Sequence, residues 1–375
     1  MARPVLFVAT LTSLLTAQLA CGPLPLDFEV AAGNSEQAII NGESCDASEL
    51  ETAVAILVDA ELDFLGSIEQ IKTVTCTGTL IAPDTVLAEA HCFDASLLGM
   101  GFATVLREDY FVTFHSDLVA LAEGGTSNFP ADTIAGRKWV PHPDFDIDSM
   151  GNVNGPGDYK DIAVMFLEQA VDHVQPEFLI STEEAEQIVE QATVQIAGWG
   201  QQINHTNPWE PLPPGTVGSK QCATSFINEL ALWEMQIGSG EQTSRKCHGD
   251  SGGPTYFDVE TSYEDKRRLI GVTSHSYDRE DCLKGGVDTR VDYWLDWIDG
   301  QMQVACDDGT RVWCEERGIV TPAFYQRRNS SDAGVDDPHE AGACLCAARP
   351  SAVGSSNEVL LLTCAALAFL YRRRK

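Results

Sequence analysis

The stretch Cys247-His248-Gly249-Asp250-Ser251-Gly252-Gly253-Pro254 constrains this chain more than any other. A serine among so many glycines predicts a tight turn whose backbone amides stay free of other partners. Serine attacks a carbonyl only where a base takes its proton and hydrogen-bond donors stabilise the resulting oxyanion. The amides of Gly249 and Ser251 are candidate donors, because glycine leaves room for a substrate carbonyl. An incidental serine in a glycine-rich turn is the alternative interpretation.

Two other stretches carry the partners that a serine nucleophile needs. His91 ends a run from Cys76 that reads as two apolar strands joined by a turn. Asp161 precedes the apolar run 162–167, and a carboxylate at the mouth of a buried strand is costly unless it has a partner. We predict that His91 is the base and that Asp161 holds its orientation.

From about Ile39 to Gln303 the chain resembles the trypsin-like (chymotrypsin-family) serine proteases. The order His, Asp, Ser along the chain is the order of that family. The stretches that carry the resemblance are Ile39-Ile40-Asn41-Gly42, Cys76 to Cys92, His142-Pro143-Asp144-Phe145, Asp161-Ile162-Ala163-Val164, Gly198-Trp199-Gly200, Cys247 to Pro254, Ser274 after Leu269-Ile270-Gly271-Val272-Thr273, and Tyr293 with Trp297-Ile298.

The resemblance implies an all-β fold of two six-stranded antiparallel β-barrels with a closing C-terminal helix. It implies a serine endopeptidase with the triad His91, Asp161 and Ser251, and an oxyanion hole formed by Gly249 and Ser251. Ser274 would support the buried Asp161. No metal or organic cofactor is expected. The acidic stretch 144–158 is interpreted as a solvated loop, with a calcium loop as the less favoured alternative.

The twelve cysteines fit an oxidising, extracytoplasmic compartment. The resemblance implies three disulfides inside the protease body. Cys306 and Cys314 follow that body and are most simply paired with each other. The predicted pairs are therefore Cys45–Cys222, Cys76–Cys92, Cys247–Cys282 and Cys306–Cys314.

Residues 1–20 are typical of a secretory signal peptide, because a basic residue precedes a short apolar run. Lipidation of Cys21, which follows Ala20, is an open alternative to an ordinary signal-peptide cut. Residues 21–38 form a predicted pro-segment, and residues 39–303 the protease domain.

The family resemblance also implies activation by cleavage before Ile39. The new α-amine would then fold inward and pair with Asp250, which orders the oxyanion hole. Because Ala38 precedes the cut, a trypsin-like activating protease is not expected. The alternative is that residues 39–42 form a first strand that is never cleaved.

Residues 304–343 lack an apolar period and are predicted to be a linker or stalk. Residues 344–375 contain Cys344 and Cys346, an apolar run and a terminal arginine cluster, and together resemble the Myxo-type C-terminal sorting tag. That resemblance implies processing by sorting machinery, with the protein left at the cell surface or secreted. An unprocessed membrane anchor is the alternative, and both place the protease outside the cytoplasm.

Arg245 lies six residues before Ser251, where the resemblance implies the bottom of the primary specificity pocket. A buried guanidinium there would bind a carboxylate and select substrates cut after Asp or Glu. Asp288 could instead pair with Arg245, which would leave a neutral pocket for small or medium apolar side chains. Cleavage after basic residues is the third possibility.

Other residues around this pocket are assigned from the same resemblance. Ser276 and Gly286 match its small walls, and His275 replaces a tryptophan in the strand that binds the substrate backbone. Glu89, two residues before His91, either perturbs the pKa of that histidine or faces solvent.

The formal net charge of −32 argues against nucleic acid as a partner, because the phosphate backbone would be repelled. The expected partners are a protein or peptide substrate, an activating protease and sorting machinery. A catalytically inactive, protease-like surface binding or adhesion module is the alternative function, and an esterase with the same triad is weaker. Inactive relatives usually lose a triad residue, and this sequence retains all three.

Overall fold

The computed structural model describes residues 39–94, 103–152, 154–205, 211–278 and 281–332. The predicted signal peptide with Cys21, the pro-segment and the sorting tag with Cys344 and Cys346 lie outside these residues, as do residues 333–343 of the predicted linker. No helix in the described ranges is long and apolar enough to cross a membrane.

Most of the regular structure is strand. The strands are β1 (Glu43–Ser44), β2 (Ala53–Phe64), β3 (Ser67–Ala82), β4 (Thr85–Ala88), β5 (Thr104–Thr113), β6 (Ile134–Pro141), β7 (Ala163–Leu167), β8 (Thr193–Gly198), β9 (Gln221–Leu230), β10 (Glu234–Ile237), β11 (Pro254–Asp258), β12 (Arg267–Ser276) and β13 (Gly286–Arg290). The α-helices are α1 (Val119–Ala122), α2 (Leu295–Asp307) and α3 (Pro322–Asp332).

The first barrel closes in the order β2-β3-β4-β7-β6-β5. Alternate residues of β2, such as Val54, Ile56 and Val58, face its apolar interior, as the two-residue period of a strand requires. The intervening residues Ala53 and Leu57 pack in a separate cluster with Ala197 and Trp199. Strand β2 is therefore buried on both faces.

The second barrel runs β9-β10-β13-β12-β11-β8 and closes through pairing of β8 with β9, while β1 adds to β9 from outside. Ile39 lies in its apolar cluster with Ile227, Met235 and Ile270. The predicted all-β architecture of two closed six-stranded antiparallel barrels and a C-terminal helix is confirmed.

Four disulfides lie within the described residues, and each predicted pairing is confirmed. They are Cys45–Cys222, Cys76–Cys92, Cys247–Cys282 and Cys306–Cys314. The second ties His91's neighbour to β3, and the third braces the segment that precedes Ser251.

The compact fold continues beyond residue 303, where the predicted protease domain ends. Helix α2 runs on to Asp307, and the compact unit ends at Tyr325. Arg311 forms a fully buried ion pair with Asp84 at 2.9 Å, and the backbone amides of the next two residues donate to the same carboxylate. The buried ion pair attaches this part of the predicted linker to the first barrel, and the Cys306–Cys314 disulfide closes the same segment on itself.

Candidate active site

The candidate triad brings together residues from both barrels. His91 opens a short 3₁₀ turn after β4, and Asp161 lies two residues before β7, the last strand of the same barrel. The Nδ1 atom of His91 lies 2.7 Å from Oδ2 of Asp161, and the His91 backbone amide donates to Oδ1 at 2.9 Å. Ser274, on β12 of the second barrel, donates its hydroxyl to Oδ2 at 2.8 Å.

Asp161 and His91 each stabilise the charged form of the other. Burial acts to raise the pKa of Asp161, but the nearby His91 and the hydrogen bonds to the carboxylate lower it overall. Burial acts to lower the pKa of His91, but the Asp161 carboxylate raises it overall. Asp161 therefore stays ionised, fixes the Nδ1–H tautomer and leaves Nε2 of His91 to accept a proton.

One side of this cluster lines a cavity of about 230 Å³ that is open to solvent. His91 and Ser251 both line it. Its other lining residues are Lys246, Cys247, His248, Thr273, Ser274, His275, Ser276 and Gly286.

The two amides of the predicted oxyanion hole have no acceptor within the part of the chain that the structure describes. The Gln201 amide donates to the carbonyl of His248 at 2.7 Å. Because C=O and N–H point in opposite directions across a trans peptide, this bond turns the Gly249 amide away from Gln201. Gly249 has φ of 89°, and an added Cβ would lie 2.9 Å from the Cα of Gly200, so only glycine fits.

Asp250 has two backbone partners and no ion pair among the described residues. Its carboxylate is fully buried and accepts from the amides of Gly200 and Cys247, each at 2.9 Å. Burial raises its pKa to about 7. Ile39 is also fully buried, but its nitrogen belongs to a peptide bond in the uncleaved chain, so the predicted ion pair needs cleavage first.

A family model described as trypsin matches residues 39–298. The chain belongs to the trypsin family. Relatives include the phenoloxidase-activating enzyme of Bombyx mori, 26% identical over an alignment of 254 residues that covers 61% of this chain and 54% of that protein. Coagulation factor XII of Bos taurus is 28% identical over 239 residues, and the alignment covers 60% of this chain and 35% of that protein. The trypsin of Phaedon cochleariae is 26% identical over 242 residues, and the alignment covers 61% of this chain and 79% of that protein.

The chain thus spans about half and about a third of the length of the first two relatives. The trypsin-family match and the relatives named trypsin and tryptase support the class of serine-type endopeptidases. The match ends before the segment that Arg311 holds on the barrels.

Arg245 is not at the bottom of the pocket of this trypsin-family chain. Its side chain does not line the cavity, and its guanidinium donates to the carbonyls of Cys282 at 3.0 Å, Thr243 at 3.1 Å and Gly240. The prediction that Arg245 pairs with Asp288 is wrong, because Asp288 pairs with Lys246. Backbone carbonyls outside the cavity occupy the Nε and Nη1 donors of Arg245.

Lys246 takes the place that was assigned to Arg245. It lines the cavity, and its Nζ lies 2.8 Å from Oδ2 of Asp288 in a fully buried ion pair. Arg245 is at an extended bridge position, where neighbouring side chains point to opposite sides. The sequence signal for this pair was a second basic residue beside Arg245 together with an unexplained acid on β13.

His275 joins the candidate triad to a neighbouring loop. Its Nδ1 lies 3.1 Å from the Ser274 hydroxyl and its Nε2 3.2 Å from the carbonyl of Gly155. The amide of Gly155 in turn donates to the carbonyl of Tyr277 at 2.8 Å. The loop therefore hydrogen-bonds to the chain just beyond Ser276, at the end of β12. The part of β12 that ends at Ser276 lines the cavity.

Glu89 does not face solvent. Its side chain is fully buried, and neither carboxylate oxygen has a hydrogen-bond partner in the described ranges. Burial, helped by the nearby Asp161 and Asp288, raises its pKa well above the usual range for glutamate. Burial therefore favours the uncharged acid over the carboxylate at this position.

Proposed function

We propose that this chain is a serine endopeptidase that hydrolyses peptide bonds in protein or peptide substrates. The observation that carries the proposal is the 2.7 Å contact between His91 and Asp161, with His91 and Ser251 lining one cavity. The unpaired amides beside Ser251 support the same chemistry.

Each step uses a side chain of the chain itself. Ser251 Oγ attacks the substrate carbonyl while Nε2 of His91 takes its proton, and Asp161 stabilises the imidazolium that forms. The amides of Gly249 and Ser251 donate to the oxyanion. His91 then protonates the leaving amine, and a water molecule activated by His91 hydrolyses the acyl-enzyme.

The proposed activation by cleavage rests on Asp250, which is buried without a cationic partner among the described residues. Cleavage before Ile39 would create an α-amine, and the buried Ile39 side chain would keep that amine inside the second barrel. An ion pair with the amine would then lower the pKa of Asp250 and hold the segment that carries the oxyanion hole. Since Ala38 precedes the cut, the activating protease is not one that cuts after Lys or Arg.

Export is part of the same proposal. Four disulfides suit a protein that folds outside the cytoplasm. The sorting machinery that reads the C-terminal segment would then leave the protease on the cell surface or release it.

The substrate residue before the scissile bond is proposed to be uncharged. Between the acidic and the small, neutral alternatives, the contacts of Arg245 favour the second, because this guanidinium faces carbonyls outside the cavity.

N-terminal sequencing and labelling with a fluorophosphonate test the proposal together. We expect a mature chain that begins at Ile39 and is labelled, while Ser251→Ala loses labelling. Ser67→Ala, an exposed serine on β3, is the matched control and should be labelled like the wild type. A chain that begins at Ile39 and is not labelled would support the inactive binding or adhesion module instead.

A further inference from the structure

We infer that Lys246 and Asp288 together select an uncharged substrate residue, because each masks the charge of the other at the specificity pocket. The inference rests on the proposed function and names the substrate class of the same site. It concerns two residues that lie 42 positions apart in the chain and meet in the second barrel.

The pair is sealed from water. Both side chains are 0% exposed, and Nζ of Lys246 lies 2.8 Å from Oδ2 of Asp288. Lys246 packs against Gly286, where an added Cβ would lie 3.1 Å from the Cβ of Lys246, and both residues line the cavity.

The ammonium of Lys246 has no donor left for a substrate. It donates to Asp288, to the hydroxyl of Thr255 at 2.7 Å and to the carbonyl of Gly253 at 3.1 Å. An ammonium has three N–H groups, and all three are used. A substrate carboxylate would therefore be desolvated without a partner, which disfavours cleavage after Asp or Glu.

One oxygen of the Asp288 carboxylate is committed in the same way: Oδ2 accepts from both Lys246 and Thr255, the latter at 2.5 Å. Its Oδ1 is buried and has no hydrogen-bond partner among the described residues. Strands β10 and β12 flank Asp288 in the sheet and fix its backbone. A substrate lysine or arginine would meet the positive Lys246 beside this acid, which disfavours cleavage after basic residues as well.

The remaining walls suit a small or medium side chain. Ser276 and Gly286 are small, and the cavity of about 230 Å³ also holds the face of the triad. Uncharged residues such as alanine, valine or leucine need no ionic partner there.

The test is a set of fluorogenic peptides that differ only in the residue before the scissile bond, namely Ala, Val, Leu, Glu and Lys. The wild type should prefer the uncharged residues by at least about tenfold in kcat/KM. Lys246→Met unmasks Asp288 and should gain cleavage after Lys by at least about tenfold, and Asp288→Asn unmasks Lys246 and should gain cleavage after Glu similarly. The double variant Lys246→Met/Asp288→Asn should return to uncharged residues.

Arg245→Gln is the matched control and should keep the wild-type order of preference. Fluorophosphonate labelling measures the triad without regard to specificity, so a labelled wild type separates failure of this inference from failure of the proposed function. A labelled wild type that prefers Glu or Lys overturns the inference. Single variants that are labelled but keep the wild-type order also overturn it, and if Lys246→Met does not fold, Asp288→Asn and the double variant decide.

Discussion

Asp161 and Asp288 are both fully buried carboxylates with one basic partner each. His91 approaches Asp161 to 2.7 Å, and Lys246 approaches Asp288 to 2.8 Å. The side chain of His91 is 13% exposed and borders the cavity, whereas that of Lys246 is 0% exposed. The two pairs differ mainly in whether the basic partner keeps a nitrogen or an N–H group that can contact a substrate.

An imidazole that donates one nitrogen to a carboxylate keeps the second for proton transfer. All three N–H groups of the Lys246 ammonium donate to acceptors inside the protein. Under the proposed function, the first pair takes part in proton transfer, and the second determines which substrate side chain fits. This comparison makes three predictions, given from the largest expected effect to the smallest.

The largest effect is expected for Asp161→Asn in the mature protease. An amide at this position holds His91 in the wrong tautomer, and kcat should fall by about 10⁴-fold. Asp288→Asn should lower kcat far less and chiefly change which substrates are cut. Steady-state kinetics on the peptide set measures both variants, and equal losses in kcat would contradict the division between a catalytic pair and a specificity pair.

Breaking the pocket pair should cost stability. Lys246→Met leaves Asp288 buried without a cation and should lower the free energy of unfolding by about 3–5 kcal/mol. Lys246→Met/Asp288→Leu should recover most of this loss, because no charge is left buried. Denaturant unfolding of both variants, each made in the Ser251→Ala protein, measures these changes in the free energy of unfolding.

The matched control for that prediction is Lys72→Met, which breaks the partly exposed pair with Asp59. This variant should change the free energy of unfolding by about 1 kcal/mol or less, because such pairs are screened by water. A similar loss in both variants would show that burial does not distinguish the two pairs.

The smallest effect concerns Asp250, a buried carboxylate with no cationic partner among the described residues of the uncleaved chain. Burial raises its pKa from 3.8 to about 7, so the folded state binds more protons than the unfolded state in this range. The stability of the uncleaved chain should therefore be greatest below about pH 4 for this group and be lost as the pH rises through about 7. Pairing with the Ile39 amine removes this loss after cleavage.

Thermal unfolding from pH 4 to pH 8 of uncleaved and cleaved Ser251→Ala protein measures the difference. Burial also raises the pKa of Glu234, to about 8, and that of Glu89, but both act in the two forms alike. The same pH dependence before and after cleavage would contradict an ion pair between Ile39 and Asp250.

The sequence alone was sufficient for the fold, the four disulfides and the residues that meet around Asp161. The fold, the disulfides of the protease body and the triad were implied by the resemblance of a series of short motifs to one family, in the order that this family has them. Each motif is local, such as the glycines around Ser251 or the apolar run after Asp161, and the resemblance supplies which motifs meet in space.

Only the tertiary structure decided where the neighbouring charges point. Arg245 and Lys246 are adjacent in sequence and equally basic, yet one faces backbone carbonyls and the other faces Asp288. Likewise, only the packing around them showed that Glu89 is buried and that Arg311 binds Asp84. The physical reason is that the partner of a buried charge is set by distances between segments far apart in the chain, which no local pattern records.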